Sequence, residues 1–498
     1  MISSRSRVLV VDLNNFAMYP TLSVGYITSI CRGAGLEVSV FSPLSIGVQG
    51  VVREEKATRR SLIAERLNFA TAQSSWPLLR SARSWVGENV RSSLSRHHKK
   101  VARAFSARLE SFAPRVVLIS TYLMYRDLVE ALCASCGRAG IPVLAGGPYF
   151  AQPEVLREWV GIEGLTALAA GEVESQLPQI IEGLIAGNGQ PVLPGLVRSD
   201  GCGGYHGSIA APLPDVGSMP FPDYTDFPWE RYPQHIVPLL TGRGCGWGRC
   251  TFCSDITSTA GRSFRSRSPE NVLGEVNHHY KTLGAKLFVF TDLKLNSSLA
   301  MWHTIISDIQ RAAPGARWIA SVHVGRSGEN GLGPEDLRAA AASGCVRLTS
   351  GLESGSQRLL DNMKKGIRIE GFSDYLRDAT AAGISTRATM IAGYPGEQEE
   401  DVRSSTEFVS SHENVIERIK LCNFSLVEGT EIHRTLIVNV RNRTAAVRAR
   451  PHLAQVDFHP HRKHARSYRK AMSELVTAVH RVNRKPLREP ARVFEGVM

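Results

Sequence analysis

Short apolar runs alternate with helical segments along most of this 498-residue chain. The runs RVLVVD (7–12), VVLIS (116–120) and PVLAGG (142–147) are rich in β-branched or small apolar residues and lack the polar alternation of a half-exposed strand. Such runs are typical of strands that are buried on both faces of a parallel sheet. Because helical segments follow them, the sequence predicts an α/β fold with a doubly wound, Rossmann-like domain over residues 1–197.

A stretch rich in Gly, Pro and Asp interrupts this alternation at residues 198–235 and is predicted to be a linker. The alternation then resumes over residues 236–436, where six strand–helix pairs can be distinguished. A complete parallel barrel has eight such pairs, so the pattern predicts a partial (β/α)6 barrel. Residues 437–498 are basic and are predicted to form a mainly helical C-terminal appendage.

Three of the nine cysteines lie within nine residues, in the segment TGRGCGWGRCTFC. Cys245, Cys250 and Cys253 form a C-x4-C-x2-C array directly after the first barrel strand, where parallel barrels carry their catalytic groups. A structural zinc site would require a fourth ligand, and no further Cys or His lies nearby in the sequence. Three thiolates on a [4Fe–4S] cluster would leave one iron open to a substrate. Three unrelated loop cysteines are the remaining interpretation.

This loop resembles the cluster loop of the radical S-adenosylmethionine (SAM) superfamily, including the aromatic Phe252 before the last cysteine. The spacing is one residue longer than the commonest C-x3-C-x2-C. The resemblance implies that the three cysteines hold a [4Fe–4S] cluster and that SAM binds beside it, contacting segments at the ends of strands four and five (SGLESGS and MIAGYPGE). The SAM-binding residues implied in this way are Phe252, Gly351, Glu353, Ser354, Arg387, Ile391 and Gly393. A helix cap at Ser354 and an ordinary strand–helix turn at Gly393 are the alternatives.

The N-terminal series resembles the cobalamin-binding domains that are fused to this superfamily. Matching segments follow three successive strands, where open α/β sheets bind their ligands. The cobalamin-binding residues implied are Ser120, Thr121, Tyr122, Gly146, Gly147, Pro148, Gly171 and Glu172. The motif Asp-x-His-x-x-Gly is absent, and the first loop reads DLNNFAMYP, so no histidine would bind cobalt from below. A sheet domain that serves only as a scaffold is the alternative.

The resemblance implies a cobalamin-dependent radical SAM enzyme that methylates an unactivated carbon of a peptide or natural-product intermediate, through a 5′-deoxyadenosyl radical and methylcobalamin. No catalytic side chain beyond the cluster cysteines is assigned. Cyclisation or ring rearrangement without methyl transfer is one alternative. RNA modification is another, but related tRNA-methylthiolating enzymes carry a further cysteine trio, and residues 1–130 contain only Cys31. A cofactor-binding sensor is the non-enzymatic alternative.

The formal net charge of +13 is concentrated in residues 91–108 and 441–488. Neither stretch interleaves aromatic and basic residues as nucleic-acid stacking platforms do, so nucleic acid is not the expected partner. No apolar run is long enough to span a membrane, and Asp12 interrupts the N-terminal one, so a cytoplasmic location is expected. The expected partners are a small-molecule or peptide substrate and an electron donor such as flavodoxin or ferredoxin.

Overall fold

The N-terminal part of the chain folds around one seven-stranded sheet. The computed structural model describes residues 6–54, 57–72, 97–187, 193–254, 263–325, 330–440, 448–457 and 466–497, so parts of both basic stretches (91–96, 441–447 and 458–465) lie outside the described residues. The strands are β1 (Arg7–Asp12), β2 (Glu37–Phe41), β3 (Val116–Ser120), β4 (Val143–Gly146), β5 (Ala167–Ala169), β6 (Leu196–Ser199) and β7 (Tyr205–Gly207). Their order is β2-β1-β3-β4-β5-β6-β7.

The first five strands are parallel, as predicted, and β6 and β7 extend the sheet antiparallel, past the predicted boundary at residue 197. The helices of this part are α1 (Leu22–Gly33), α2 (Arg59–Ala72), α3 (97–112), α4 (Arg126–Arg138), α5 (Pro153–Val160) and α6 (Leu177–Ala186). Val8 and Val10 pack in one core, and Leu9 and Val11 in another, all without exposed surface. Burial on both faces explains why β1 shows no polar alternation.

The second sheet confirms the predicted six-stranded parallel arrangement. Its strands, in chain order, are β8 (Ile236–Leu239), β11 (Leu287–Phe290), β12 (Arg317–Val322), β13 (Cys345–Glu353), β14 (Ser385–Ala392) and β15 (Arg418–Asn423), with a short hairpin of β9 (Gly242–Arg243) and β10 (Arg265–Ser266) after β8. The spatial order β15-β14-β13-β12-β11-β8 leaves β8 and β15 unpaired with each other, so the barrel is open. The helices are α7 (Pro269–Leu283), α8 (Leu299–Ala312), α9 (Pro334–Ala342), α10 (Gln357–Asn362), α11 (Ile369–Ala381) and α12 (Glu399–Ser411).

The C-terminal region packs onto the open side of the barrel. It contains α13 (Glu431–Val440), a small sheet of β16 (Leu426–Val427), β17 (Arg448–Arg450) and β18 (Gln455–Asp457), and α14 (Arg466–Asn483). The Asn483 amide accepts a hydrogen bond from the Ile419 N–H and donates one to its carbonyl, both at 2.8 Å. The amide thus occupies hydrogen-bonding groups of the edge strand β15 that another strand would otherwise pair with. None of the described helices has the length and apolarity needed to cross a membrane.

The loop after β1 and the C-terminal segment pack against apolar side chains in the barrel interior. Tyr19 from the loop after β1 and Phe494 and Val497 from the C-terminal segment form one apolar cluster with Ile236 and Ile319, which point inward from the barrel strands. The loop after β1 of the N-terminal sheet is therefore in direct contact with the barrel core.

Candidate cluster and cofactor site

The direction in which the chain leaves β8 is fixed by a buried carboxylate at the end of the neighbouring strand. Asp292 accepts hydrogen bonds from Thr241 N at 3.0 Å, Thr241 Oγ1 at 2.7 Å and Gly242 N at 3.0 Å. Burial raises the pKa of Asp292 to about 6, although these hydrogen bonds oppose the shift. Asp292 therefore positions the start of the cysteine loop rather than contacting the cysteines.

The cysteine loop itself is held by the turn that follows α10. The indole Nε1 of Trp247 donates to the Lys364 carbonyl at 2.9 Å, and the Thr251 N–H donates to the Met363 carbonyl at 3.0 Å. Gly366 has a φ of +72°, and a Cβ atom there would lie 2.3 Å from the Trp247 ring. The turn at 363–366 can approach the loop this closely only because residue 366 is glycine.

The three cysteines are partly exposed and lie beside two lysines. Lys294 interacts electrostatically with Cys245 and Cys250, and Lys365 with Cys250 and Cys253. Burial raises the pKa of the Cys250 thiol, and the two lysines oppose this shift by favouring the thiolate.

The charges around these thiols bear on the metal interpretations. Within the described ranges, no group of three His, Cys, Asp or Glu side chains forms a ready-made site for a single metal ion. Three thiols on one glycine-rich loop, facing two cations, fit the larger and negatively charged [4Fe–4S] cluster.

The carboxylate predicted to contact SAM forms an ion pair at the edge of this loop. Glu353 ends β13 with a φ of +63°, and its Oε1 accepts a hydrogen bond from Lys365 Nζ at 2.7 Å. Both side chains are largely buried, with exposed fractions of 8% and 13%. A Cβ atom at Gly351 would lie 2.2 Å from Glu353 Oε1 and 2.6 Å from Lys365 Nζ. Gly351 therefore makes room for the pair.

Three further predicted SAM residues lie next to the cysteine loop. Phe252 and Ile391 pack against the buried Tyr394, whose hydroxyl lies 2.7 Å from Thr251 Oγ1. Gly393 has a φ of +82°, and its N–H donates to Glu397 Oε2 at 2.7 Å. Together they form an apolar surface beside a tight turn, which suits the flat face of an adenine ring.

Two predicted SAM residues lie elsewhere. Ser354 is buried, and its hydroxyl faces Ser405 Oγ at 3.2 Å, on α12. The N-cap of α10 is Ser356 rather than Ser354. Arg387 points into the barrel interior, where its Nε lies 3.9 Å from Glu54 Oε2. The structure therefore does not bring these two side chains to the cysteine loop.

The predicted cobalamin loops follow β3 and β4 at the carboxyl edge of the N-terminal sheet. β1 and β3 are adjacent in the sheet, and the chain continues from β1 to β2 on one side and from β3 to β4 on the other. The carboxyl edge between β1 and β3 is therefore the topological switch point of the sheet. Asn14 Nδ2 donates to Ser120 Oγ at 3.3 Å across it. The Thr121 N–H donates to the Gly146 carbonyl at 3.0 Å, and a Cβ atom at Gly147 would lie 2.1 Å from the Thr121 carbonyl oxygen.

Beyond this tight contact, the edge offers accessible apolar surface. Tyr122 is half-buried with its ring 6.4 Å from that of Phe16, Pro148 is exposed, and Met124 is 70% exposed. A compact backbone below and exposed apolar side chains around it are what a large planar ligand requires.

Glu172, predicted to contact cobalamin, instead joins the two sheets. Its carboxylate lies 3.0 Å from Arg243 Nη1 and 2.7 Å from Arg265 Nη2, and Glu174 lies 2.5 Å from Arg243. Although burial alone would raise it, the pKa of Glu172 is lowered by hydrogen bonds from Arg265 and by the charge of Arg243. The adjacent Gly171 has a φ of +92° and faces the backbone of residue 210. The third predicted cobalamin loop is thereby tied to the strand two residues before Cys245.

No sequence pattern indicates a role at the site for Lys294, Lys365, Arg243 or Glu54. A Lys-Lys-Gly run after a short helix is an ordinary helix end, so nothing distinguished Lys365. The contacts of Arg243 and Glu54 join segments that are far apart in the chain, and only the fold brings them together.

A model of the Radical SAM superfamily matches residues 239–409. A protein of Pyrococcus horikoshii named as an uncharacterized methyltransferase is 28% identical over 310 residues, which cover 60% of this chain and 65% of that protein. Bacteriochlorophyllide d C-12(1)-methyltransferase of Chlorobaculum tepidum is 25% identical over 286 residues, covering 57% of each chain. The chain thus spans less than two thirds of the length of these curated relatives.

Two solved structures share the fold over nearly the whole chain. The cobalamin-dependent SAM radical enzyme OxsB, with aqua-cobalamin bound, has a TM-score of 0.64 at 16% identity and covers 91% of this chain and 64% of its own. The radical SAM methyltransferase TsrM of Kitasatospora setae, with cobalamin and a [4Fe–4S] cluster bound, has a TM-score of 0.64 at 16% identity, covering 95% and 90%. Residues 239–409 are therefore a radical SAM domain, and the chain as a whole has the fold of the cobalamin-dependent radical SAM enzymes.

Proposed function

We propose that this protein is a cobalamin-dependent radical SAM enzyme that methylates an unactivated carbon of a small-molecule or peptide substrate. The main support is the ion pair between Glu172 and Arg243, with 3.0 Å between the charged atoms. It sets the carboxyl edge of the N-terminal sheet against the loop that carries Cys245. A ligand at that edge and a cluster on that loop would face a common space, where one substrate could meet both.

In this proposal Cys245, Cys250 and Cys253 hold the [4Fe–4S] cluster, and the loops at 120–122 and 146–148 hold cobalamin. The bound cluster supplies the electron for SAM cleavage, and bound cobalamin carries the methyl group. Glu353 accepts hydrogen bonds from the SAM ammonium group, with Lys365 fixing its carboxylate.

The remaining tasks of the chain are orientation and exclusion of water. Phe252 and Ile391 offer an apolar face for the adenine. Phe16, Tyr19 and Tyr122 form an aromatic row at the boundary between the two sheets, with ring centroids 5.5 and 6.4 Å apart along the row. Such a row would keep water from a reactive carbon radical.

Product analysis tests the reaction. The protein would be reconstituted anaerobically with iron, sulfide and cobalamin, and supplied with SAM and a reductant. We expect both 5′-deoxyadenosine and S-adenosylhomocysteine, the latter only when cobalamin is present. Deoxyadenosine alone would contradict methyl transfer and indicate cyclisation or rearrangement.

The cluster assignment has its own test. Cys250→Ala should lose cluster iron and deoxyadenosine formation, because one of three ligands is removed. Cys202→Ala is the control, since Cys202 is an exposed cysteine outside the loop. Iron content like that of the wild type in Cys250→Ala would contradict the assignment.

The cobalamin site is tested by a pair of glycine substitutions. Gly147→Ala would push the two predicted loops apart, because its Cβ would meet the Thr121 carbonyl oxygen at 2.1 Å. Gly161→Ala is the control, since nothing lies within 4 Å of a Cβ at that position. We expect cobalamin affinity to fall only in Gly147→Ala, and equal affinity of the two variants would argue against binding at this edge.

A further inference from the structure

Three arginines lie side by side on the inner face of the barrel. Arg347 is on β13, Arg387 on β14 and Arg418 on β15, and Arg387 and Arg418 are direct neighbours in the strand register. Their exposed fractions are 0%, 5% and 7%. Buried cations on adjacent strands repel one another, so such a group requires an anionic partner.

One largely buried carboxylate, that of Glu54, faces all three guanidinium groups. Glu54 Oε2 accepts a hydrogen bond from Arg347 Nη1 at 3.3 Å and lies 3.9 Å from Arg387 Nε. Glu54 Oε1 lies 2.8 Å from Arg418 Nε. Glu54 therefore contacts all three guanidinium groups, while the half-exposed Glu495 lies 3.8 Å from Arg418 alone.

Arg418 has structural partners in addition to Glu54. Its Nη1 donates to the carbonyls of Glu417 and Lys485 at 2.6 and 2.9 Å, and its Nη2 lies 3.8 Å from the half-exposed Glu495. These contacts join β15 to the C-terminal segment. Arg418 is thus engaged by the fold.

Arg387 is not engaged in this way. Within the part of the chain that the structure describes, its Nε is buried without a hydrogen-bond partner, because Glu54 is too distant at 3.9 Å to accept one. The same holds for Nε and Nη2 of Arg347. Burial, together with the neighbouring Arg347, lowers the pKa of Arg387, although Glu54 opposes the shift. Buried N–H groups of this kind are costly unless something accepts their hydrogen bonds.

The inner face of β15 connects this group to the cysteine loop. The next residues on the same face after Arg418 are Lys420 and Cys422, and both are exposed. At about 3.3 Å per residue, Cys422 lies about 13 Å further along the strand. Cys422 interacts electrostatically with both Arg387 and Glu353. The exposed Lys420 and Cys422 therefore follow the arginines along β15 in the direction of the Glu353–Lys365 pair.

We propose that Arg387, assisted by the free N–H groups of Arg347 and by Lys420, binds an oxyanion of the substrate, a carboxylate or a phosphate, inside the barrel. A guanidinium group binds either oxyanion through two parallel hydrogen bonds. That the ligand is the substrate rests on the proposed function. The anion site itself rests on the buried donors and the excess of positive charge.

The first experiment measures unfolding midpoints of the full-length protein in inorganic phosphate, acetate and chloride at equal ionic strength. We expect phosphate or acetate to stabilise the wild type relative to chloride, and Arg387→Gln to bind the effective anion at least about tenfold more weakly. Arg377→Gln is the matched control, because Arg377 is an exposed arginine on α11 paired with Asp374. The control removes the general effect of salts on unfolding. Equal responses of the two variants would overturn the proposal.

Two further measurements complete the test. Lys420→Gln changes an exposed position and should weaken anion binding severalfold. This variant replaces Arg387→Gln in the test if Arg387→Gln does not fold. Stabilisation of Lys420→Gln by the anion to the same extent as the wild type would then overturn the proposal. The carboxylate bound by Arg387 could belong to the substrate or to SAM. Equilibrium dialysis of SAM with cluster-loaded protein distinguishes these two sources. We expect unchanged SAM affinity in Arg387→Gln, and a loss confined to SAM would assign Arg387 to the SAM site instead. An anion response without SAM or cobalamin binding would refute the proposed function and leave the anion site standing.

Discussion

Glu172 and Arg243 form an ion pair that joins the N-terminal sheet to the barrel, with 3.0 Å between Oε2 and Nη1. The resemblance to cobalamin-binding domains predicts a ligand contact for Glu172. The structure instead gives this carboxylate two arginines, Arg243 and Arg265, on either strand of the hairpin that bears the cysteine loop. The pair therefore links the positions of the two halves of the candidate site.

The pH dependence of stability should reveal this contact. The pKa of Glu172 in the folded protein lies below its usual value of 4.5, so its contribution is complete above that pH and is lost as pH falls through the lowered pKa. Glu172→Gln should lower the free energy of unfolding by about 3 kcal/mol near neutral pH, because it leaves the largely buried Arg265 without its carboxylate and Arg243 with Glu174 alone. The difference from the wild type should shrink in acid.

Thermal unfolding of both proteins between neutral and acidic pH measures this difference. Glu163→Gln is the control, an exposed glutamate of the same domain. A difference between Glu172→Gln and the wild type that persists unchanged in strong acid would show that the charge of Glu172 is not what matters.

The buried Glu353–Lys365 pair should be costly to break. Lys365→Met leaves the Glu353 carboxylate buried without its cation, which costs about 3–5 kcal/mol. Lys364→Met is a closely matched control, because the adjacent lysine pairs with Glu431 while 56% of its side chain is exposed, and such pairs contribute about 0–1 kcal/mol. Urea unfolding gives both values, and similar losses in the two variants would contradict the burial argument.

Features that depend on neighbouring residues in the sequence were predicted, whereas contacts between residues distant in the sequence were missed. All six barrel strands and the cysteine loop were predictable, since strands and helices alternate along the sequence and the three cysteines lie in one short segment. The surroundings of the Arg387 side chain were not predictable from the sequence. Its position on β14 indicates its face, but Glu54 reaches it from the other domain, 333 residues earlier in the chain. Likewise, the resemblance that assigns Ser354 to SAM does not indicate its contact with Ser405 on α12, which is distant in sequence.

Lys365 should also influence the reduction potential of the cluster. A positive charge near Cys250 and Cys253 stabilises the reduced, more negative cluster, so its removal should lower the midpoint potential. Lys365→Met should shift the potential downward by on the order of tens of millivolts. A redox titration followed by electron paramagnetic resonance measures the shift, with Lys364→Met expected to match the wild type. A downward shift of equal size in both variants would contradict a specific role for Lys365.

The contact between Gly366 and Trp247 provides the sharpest test of how the cysteine loop is held. Gly366→Ala adds a Cβ that would lie 2.3 Å from the indole, so either the ring or the turn must move. Gly383→Ala is the matched control, because Gly383 also has a positive φ, of +85°, but has nothing within 4 Å of its Cβ position. Both variants carry the same backbone cost of about 1–2 kcal/mol. Only Gly366→Ala should also reduce the iron bound per chain after reconstitution, because displacement of Trp247 releases the segment between Cys245 and Cys250. Equal iron content in the two variants would show that the cysteines keep their positions without the indole contact.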